Sequence, residues 1–320
     1  MDLYYDLVND NYQIGRSICF VITKPKPREI WAADFRDRIV HHLIYNKYFD
    51  LFSKSFIYDS YACLPTKGTL NASKRLEKFT RSCSHNYQFR TYFLKADIKN
   101  FFMSIDKNIL FDLICQKVTN PWWQNLIKLV LYNDCRKNAV IKSSRSLMKQ
   151  IPRQKSLFNA KRDCGLPIGN LSSQFFANIY LNELDQFIKR TLQCKYYIRY
   201  VDDLIILDQN PKKLNMIYNL VCQFVKTNLN IEFHEKKKQI NTIDKGIDFV
   251  GYIIKPHRKY IRKTTIRNIY NKRRVLQNPR QSLNSYMGML IHANTYNERK
   301  RIKKYYSNVK FNAQLSKVII

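Results

Sequence analysis

Apolar residues recur along this chain with two spacings, and each spacing predicts an element. Between residues 34 and 49 the three-four spacing of a helix puts Phe35, Ile39, Leu43 and Ile44 on one side, with Pro25 and Pro27 bounding it upstream. Residues 92–98 form a short apolar run ending in a charge, which predicts a strand. Asp106 can cap a helix through Leu110, Leu113, Ile114 and Val118, and Pro121-Trp122-Trp123 restarts a helix towards Leu131. Residues 136–163 are basic, polar and poorly periodic, so they read as loop-rich. The turn-forming residues 164–170 precede a strongly amphipathic helix over 172–192, carrying Phe176, Ile179, Tyr180, Leu184, Phe187 and Ile188. Two strands, 196–200 and 204–207, are joined through Val201-Asp202-Asp203 into a hairpin with acids at its tip. A helix over 212–227 follows, then a second hairpin over 247–254 and 260–261. Leu283, Tyr286, Met287, Leu290 and Ile291 mark one more packed helix. Strand, helix, helix, hairpin, helix, hairpin is the order of an α+β core with an antiparallel sheet.

Charge changes the picture next. The 320 residues hold 56 Lys or Arg against 24 Asp or Glu, a formal charge of +32. Such a chain needs an anionic partner, with nucleic acid ahead of a membrane surface. No apolar stretch reaches the length of a spanning helix, and neither a secretion signal nor a prenylation motif is present, so the reading is cytoplasmic with no membrane partner. Residues 255–320 carry 17 basic residues and one acid, Glu298, which is half of the net charge. Tyrosines are interleaved with them, as on a surface that tracks a phosphate backbone, although a disordered basic arm has the same composition. The eight cysteines lie at least 20 residues apart with no Cys-x-x-Cys, which argues against zinc and for buried thiols. The histidines have no metal-ligand spacing and read as structural; of His41 and His42, one faces the core and one faces water. Trp122-Trp123 is a core anchor or a stacking platform.

Acids are the minority charge, so acids set among apolar strands need a reason. Asp97 ends Tyr92-Phe93-Leu94-Lys95-Ala96, and Asp202-Asp203 lies between two apolar runs. Adjacent carboxylates repel and lose hydration, and a divalent cation removes both costs. Mg²⁺ takes oxygen ligands and keeps room for substrate phosphates. A strand ending at Asp97 beside the hairpin would hold two ions about 3.5–4 Å apart, the arrangement for in-line phosphoryl transfer. A solvated acidic turn is the plain alternative.

The flanking residues carry a resemblance. Tyr200-Val201-Asp202-Asp203 resembles the catalytic motif of reverse transcriptases. Lys95-Ala96-Asp97-Ile98-Lys99-Asn100-Phe101-Phe102 resembles their first catalytic motif, and Phe249-Val250-Gly251-Tyr252 their primer-grip hairpin. Residues 165–174 (GLPIGNLSSQ), where most of the family has Gln-Gly in place of Ile168-Gly169, resemble the reverse transcriptases of diversity-generating retroelements, as do 28–42, 61–68 and 284–294. Group II intron-type and bacterial antiphage reverse transcriptases are related. The 25 residues before Lys26 are fewer than the diversity-generating group implies, which keeps a defence role as the alternative.

The resemblance implies a right-hand polymerase: fingers over 1–90, palm over 91–106, a fingers insert over 107–165, palm over 166–252 and a basic helical thumb over 253–320. It implies RNA-directed DNA polymerase activity, adding dNTPs to a primer 3′-OH on an RNA template, with low fidelity. Asp97, Asp202 and Asp203, with the Ile98 carbonyl, would ligate two Mg²⁺, for which Mn²⁺ can substitute. Lys237, within Glu235-Lys236-Lys237-Lys238, would protonate the leaving pyrophosphate. Arg28 with Lys24 or Lys26 would grip the triphosphate, Phe102 would exclude a 2′-hydroxyl, and Ile168, Gly169 and Gln174 would line the dNTP site. At Ile168 the family's Gln touches the nucleotide or template, and Ile makes no such hydrogen bond. Arg258, Lys259, Arg262, Lys263 and Arg267 would hold the template–primer duplex. Implied partners are template RNA, primer or cDNA, dNTPs, and a small accessory protein or a second reverse transcriptase or effector subunit, in a bacterial or phage-encoded setting. The alternatives are an antiphage enzyme making cDNA from a noncoding RNA or by protein priming, and a non-catalytic RNA-binding scaffold.

Overall fold

In the computed structural model the described residues are 2–24, 26–272 and 280–306. Pro25 and, from the basic C-terminal stretch, residues 273–279 and 307–320 lie outside them. The strands are β1 Ile18–Ile22, β2 Arg28–Ala32, β3 Tyr92–Asp97, β4 Val140–Ile141, β5 Tyr196–Tyr200, β6 Asp203–Asp208, β7 Gln239–Thr242, β8 Ile247–Phe249, β9 Tyr252–Lys255 and β10 Arg258–Ile261. The helices are α1 Asp2–Val8, α2 Phe35–Ser53, α3 Thr69–Cys83, α4 Phe101–Ser104, α5 Lys107–Cys115, α6 Pro121–Tyr132, α7 Arg145–Met148, α8 Leu171–Gln186, α9 Pro211–Asn228, α10 Lys263–Lys272, α11 Arg280–Leu290 and α12 Tyr296–Tyr305. The chain folds into two compact units, each built from three separate stretches.

The first unit takes Met1–Tyr58, Asp97–Cys194 and Ile217–Lys237. Its sheet has the order β2-β1-β4, with β1 and β2 antiparallel and β4 parallel to β1. The hairpin β1–β2 is absent from the sequence reading, because two five-residue strands around a Pro-rich turn leave little pattern. Asp34 caps α2 through Arg36 N–H. The buried face of α2 differs from the expected one. Phe35, Ile39 and Leu43 are exposed, whereas Asp37, Val40, His41, Ile44, Tyr48 and Phe52 are buried. The polar members of that face are accepted because they are bonded: Asp37 by Tyr12 OH and Gly15 N–H, His41 by Ser172 Oγ. Asp106 caps α5 through Asn108 and Ile109 N–H, and Pro121 opens α6 behind an Asn120 cap. α8 is buried on nearly every face rather than amphipathic. It is the central helix of this unit, and it ends in a π-turn over Phe187–Thr191.

The second unit takes Asp59–Ala96, Lys195–Met216 and Lys238–Ile320. It holds a four-stranded sheet, β5-β6-β3-β7, and a three-stranded antiparallel sheet, β10-β9-β8. β3 runs through it and passes into the first unit at Asp97. One apolar cluster joins Leu76 and Phe79 of α3, Phe93 of β3, Ile198 and Ile205 of the β5–β6 hairpin, and Leu283, Met287 and Leu290 of α11. The periodicity of α11 is therefore a packed face. Among the described residues no helix is long and apolar enough to cross a membrane. No cysteine there is in a disulfide; Cys19, Cys83, Cys135 and Cys194 are buried, while Cys63 is exposed.

Candidate catalytic and nucleotide site

β5 and β6 form a two-residue hairpin. Tyr200 pairs with Asp203, so the loop is Val201 and Asp202 alone, and Asp203 already belongs to β6. Val201 sits at φ 55°, a left-handed conformation that costs a β-branched residue about 1–2 kcal/mol. The buried Arg199 guanidinium donates from Nη1 to the Val201 carbonyl at 3.0 Å and holds the turn from beneath. Its own strand is pinned, because Arg199 N–H donates to the Asp59 carbonyl and Tyr61 N–H to the Arg199 carbonyl. Asp59 in turn takes Arg75 Nε at 2.6 Å. Lys95, on β3, places Nζ 3.1 Å from Asp203 Oδ2.

Asp97 closes β3, and β6 is the strand next to β3 in the sheet. In the first unit, Asp97 forms an ion pair with Lys237. The segment that carries Lys237 is strapped to the end of β3: His234 N–H donates to the Asp97 carbonyl, Lys99 N–H donates to the Glu232 carbonyl, and Ile98 bridges Phe233. Within the lysine run, Lys237 reaches Asp97 while Lys238 turns to Asn215 Oδ1. Carboxylate oxygens are the ligands that a hard divalent cation takes; Asp97 in the first unit and Asp203 in the second each already seat a positive charge, so each by itself is a donor of the right kind. Among the described residues no three His, Cys, Asp or Glu side chains form a ready-made cluster.

Of the expected nucleotide residues of the first unit, Arg28, Ile168 and Gly169 meet at β2. Arg28 is its exposed first residue, and Lys24 and Lys26 are exposed in the turn before it. The loop that precedes α8 docks against this strand: Trp31 N–H donates to the Ile168 carbonyl at 2.7 Å, and Ala33 N–H to Asn170 Oδ1 at 3.2 Å. Gly169 lies at φ 133°, and a Cβ there would stand 2.7 Å from the Trp31 carbonyl oxygen, so only glycine permits this approach. The Phe102 carbonyl accepts Leu166 N–H at 2.8 Å, which ties α4 to the same loop, and the Phe102 ring is half-exposed beside the buried Phe101. Gln174 is half-buried in the first turn of α8. Behind the loop a cavity of about 20 Å³, room for one water, is lined by Tyr12, Asp37, His41, Asn170, Ser172 and Ser173 among others. Burial, then the neighbouring His42, pushes the His41 imidazole down to about 4, so it is neutral as it meets Ser172.

Other expected residues have different surroundings. Phe249 and Tyr252 are core residues flanking the Val250-Gly251 turn, and the Tyr252 hydroxyl donates to the Met289 carbonyl. The turn backbone, not these rings, is what the hairpin presents. Lys259 is buried: its ammonium pairs with Glu77 at 2.8 Å and lies over the Tyr252 ring. Its ammonium thus has partners inside the second unit that sequence position alone does not announce. Arg262 pairs with Asp248, while Arg258, Lys263 and Arg267 are exposed. His257 packs on Tyr87, and Trp123 packs edge-on against Tyr48, as structural residues do.

A family model described as reverse transcriptase (RNA-dependent DNA polymerase) matches residues 22–254. A putative COX1/OXI3 intron 2 protein of Saccharomyces cerevisiae is 20% identical over 283 residues, covering 71% of this chain and 30% of that protein. Two solved telomerase structures share the fold. That of Candida tropicalis, apo and truncated from its C-terminal domain, superposes with a TM-score of 0.55 at 12% identity, over 82% of this chain and 59% of its own. That of Candida albicans, in complex with a fragment of telomeric RNA, gives 0.56 at 10% identity, over 95% of this chain and 55% of its own. The chain thus spans less than two thirds of each. The fold is the α+β right-hand polymerase fold.

Proposed function

Because the chain belongs to the reverse transcriptase family, we propose that it is an RNA-directed DNA polymerase that extends a primer 3′-OH with dNTPs on an RNA template. The observation that carries this reading is the Val201-Asp202 turn. It presents the Asp202 carboxylate on a strained two-residue loop held by a buried arginine, directly before Asp203 at the start of β6, a cost without return unless the acids act.

Asp97 and Asp202, assisted by Asp203 and the Ile98 carbonyl, are the oxygen ligands for two Mg²⁺, or Mn²⁺ in their place. When bound, such ions supply charge neutralisation of the triphosphate and acidification of the attacking 3′-OH. Arg28, with Lys24 or Lys26, binds the triphosphate, since a guanidinium matches phosphate oxygens in pairs. Phe102 excludes a 2′-hydroxyl by the volume of its ring. Lys237 Nζ, the counter-charge of Asp97, holds the proton that passes to the leaving pyrophosphate. Asp202→Asn preserves the size of the side chain and removes its charge. Primer extension should fall by about 10³-fold or more with the melting temperature unchanged; extension at the wild-type rate would refute the assignment.

The finer reading is low-fidelity synthesis of the diversity-generating kind, with template RNA and a small accessory protein as partners. Ile168 supports it: the Trp31 bond holds its backbone, and its side chain offers no hydrogen bond to check a base. Ile168→Gln should lower misincorporation opposite template adenine several-fold, read by sequencing the cDNA. An unchanged error spectrum would leave polymerisation standing and remove the diversification reading.

A further inference from the structure

The two carboxylate–lysine pairs are not alike. At the Asp97 pair the Lys237 side chain is 48% exposed and the carboxylate 18%, so the ammonium stands towards solvent and can move. At the Asp203 pair the Lys95 side chain is only 18% exposed and the carboxylate 22%. Lys95 also has a second anchor, because its Nζ donates to the Asp248 carbonyl at 2.5 Å. Asp248 is the middle residue of β8, the strand that runs into the Val250-Gly251 turn, and its carboxylate pairs with Arg262. A single ammonium therefore joins three parts of the second unit: β3, two residues before Asp97; the start of β6 at Asp203; and the β8–β9 hairpin.

Resting on the polymerase reading, we propose that Lys95 is a positioning residue that fixes Asp203 against the hairpin assigned to the primer. With Oδ2 engaged by a stationary cation, Asp203 orients the turn and keeps only Oδ1 to assist at a metal, so the main ligand role falls to Asp97 and Asp202. A strand that carries one catalytic carboxylate also carries, on the same face, the cation that holds another, because side chains two residues apart on a strand project together. A shift of the β8–β9 hairpin under a bound primer would pass to Asp203 through this one side chain. A hydrophobic residue at position 95 would pack equally well on a sheet; the lysine is explained by its two acceptors.

The test is a double-mutant cycle of K95M and D203N in primer extension on an RNA template, with K95Q as a second version of the lysine change should K95M fail to fold. Duplex affinity by anisotropy without Mg²⁺ and melting temperature are read in parallel. K95M should lower kcat about 10- to 100-fold and leave the dNTP KM within about threefold, the cost of misplacing a group near the chemistry. Duplex affinity without metal should stay within about twofold, and K95M/D203N should be no slower than D203N alone, because both changes remove one interaction. Losses that multiply in the double variant, or a K95M kcat within about twofold of wild type, would overturn the proposal while leaving the polymerase reading intact. Wild-type protein that extends no primer would overturn both.

Discussion

The second unit contains two hairpins built to one plan with different endings. Both have two-residue loops, and both place valine first in the left-handed region, Val201 at φ 55° and Val250 at φ 44°. The β8–β9 loop continues with Gly251 at φ 94°, the residue for which that conformation is free. The β5–β6 loop continues with Asp202. The first hairpin relieves its turn locally, and Arg262 N–H closes on the Gly251 carbonyl at 3.2 Å. The second spends the same position on a carboxylate, and the strain is held instead by the Arg199 guanidinium beneath Val201. Where a residue type is fixed by chemistry, the fold has placed the stabilising group two residues back, in β5.

The largest effect on stability should therefore come from removing that group. Arg199→Met keeps the bulk of a buried side chain but leaves the Val201 carbonyl without its charged donor. We expect a stability loss of about 2–3 kcal/mol and an extension rate lowered about 100-fold, more than stability explains. Thermal melting and single-turnover extension at a temperature where the variant is folded separate the two. A variant that melts early yet extends at the wild-type rate would mean that Arg199 supports the core alone.

An intermediate effect is expected at the other hairpin. Gly251→Ala puts a Cβ at positive φ, a cost of about 1–2 kcal/mol, and its nearest neighbour, the Met289 Cε at 3.1 Å, is the end of a flexible chain that can yield. Melting should drop about 2–4 °C per kcal/mol, and extension should stay within a few-fold. A larger loss of extension than of stability would show that the β8–β9 turn acts on the reaction as directly as the β5–β6 turn does, and the contrast between them would fail.

Much of this was legible in the sequence. Period-two and apolar runs gave β3 and the β5–β6 hairpin. Asp106, Pro121 and the α11 pattern gave helix starts and a packed face, and the motif residues gave the family. What stayed hidden depended on partners distant in the chain. α2 buries a face different from the one marked by Phe35, Ile39 and Leu43 because Asp37 and His41 are buried against Tyr12 and Ser172, partners that local spacing does not show. α3 opens at Gly68 without a side-chain cap and so lacked a start signal. β7 has four residues and is defined by pairing with β3, some 140 positions away. The pairing of Lys259 was not legible because nothing local announces Glu77, nor were the acceptors of Lys95, which lie at 203 and 248. A basic chain makes this failure common: charge predicts the class of partner but not which lysines face inward.

The smallest effect on stability, and the sharpest for the comparison, is Val201→Gly. Glycine adopts φ 55° freely, which returns about 1–2 kcal/mol of strain, and costs backbone entropy of about 0.5–1 kcal/mol on folding. The half-buried valine side chain also gives up some contact area, so the melting temperature should move by no more than about 2 °C. The turn would then hold a glycine like its counterpart at 250–251, but without the stiffness that a β-branched residue imposes on the backbone carrying Asp202. We expect kcat to fall about three- to tenfold with the duplex affinity unchanged, since orientation is lost while contacts are kept. A glycine variant as fast as wild type would place the whole burden of orientation on Arg199 and make Val201 incidental. A faster one would show that the strained valine holds the carboxylate away from its best geometry.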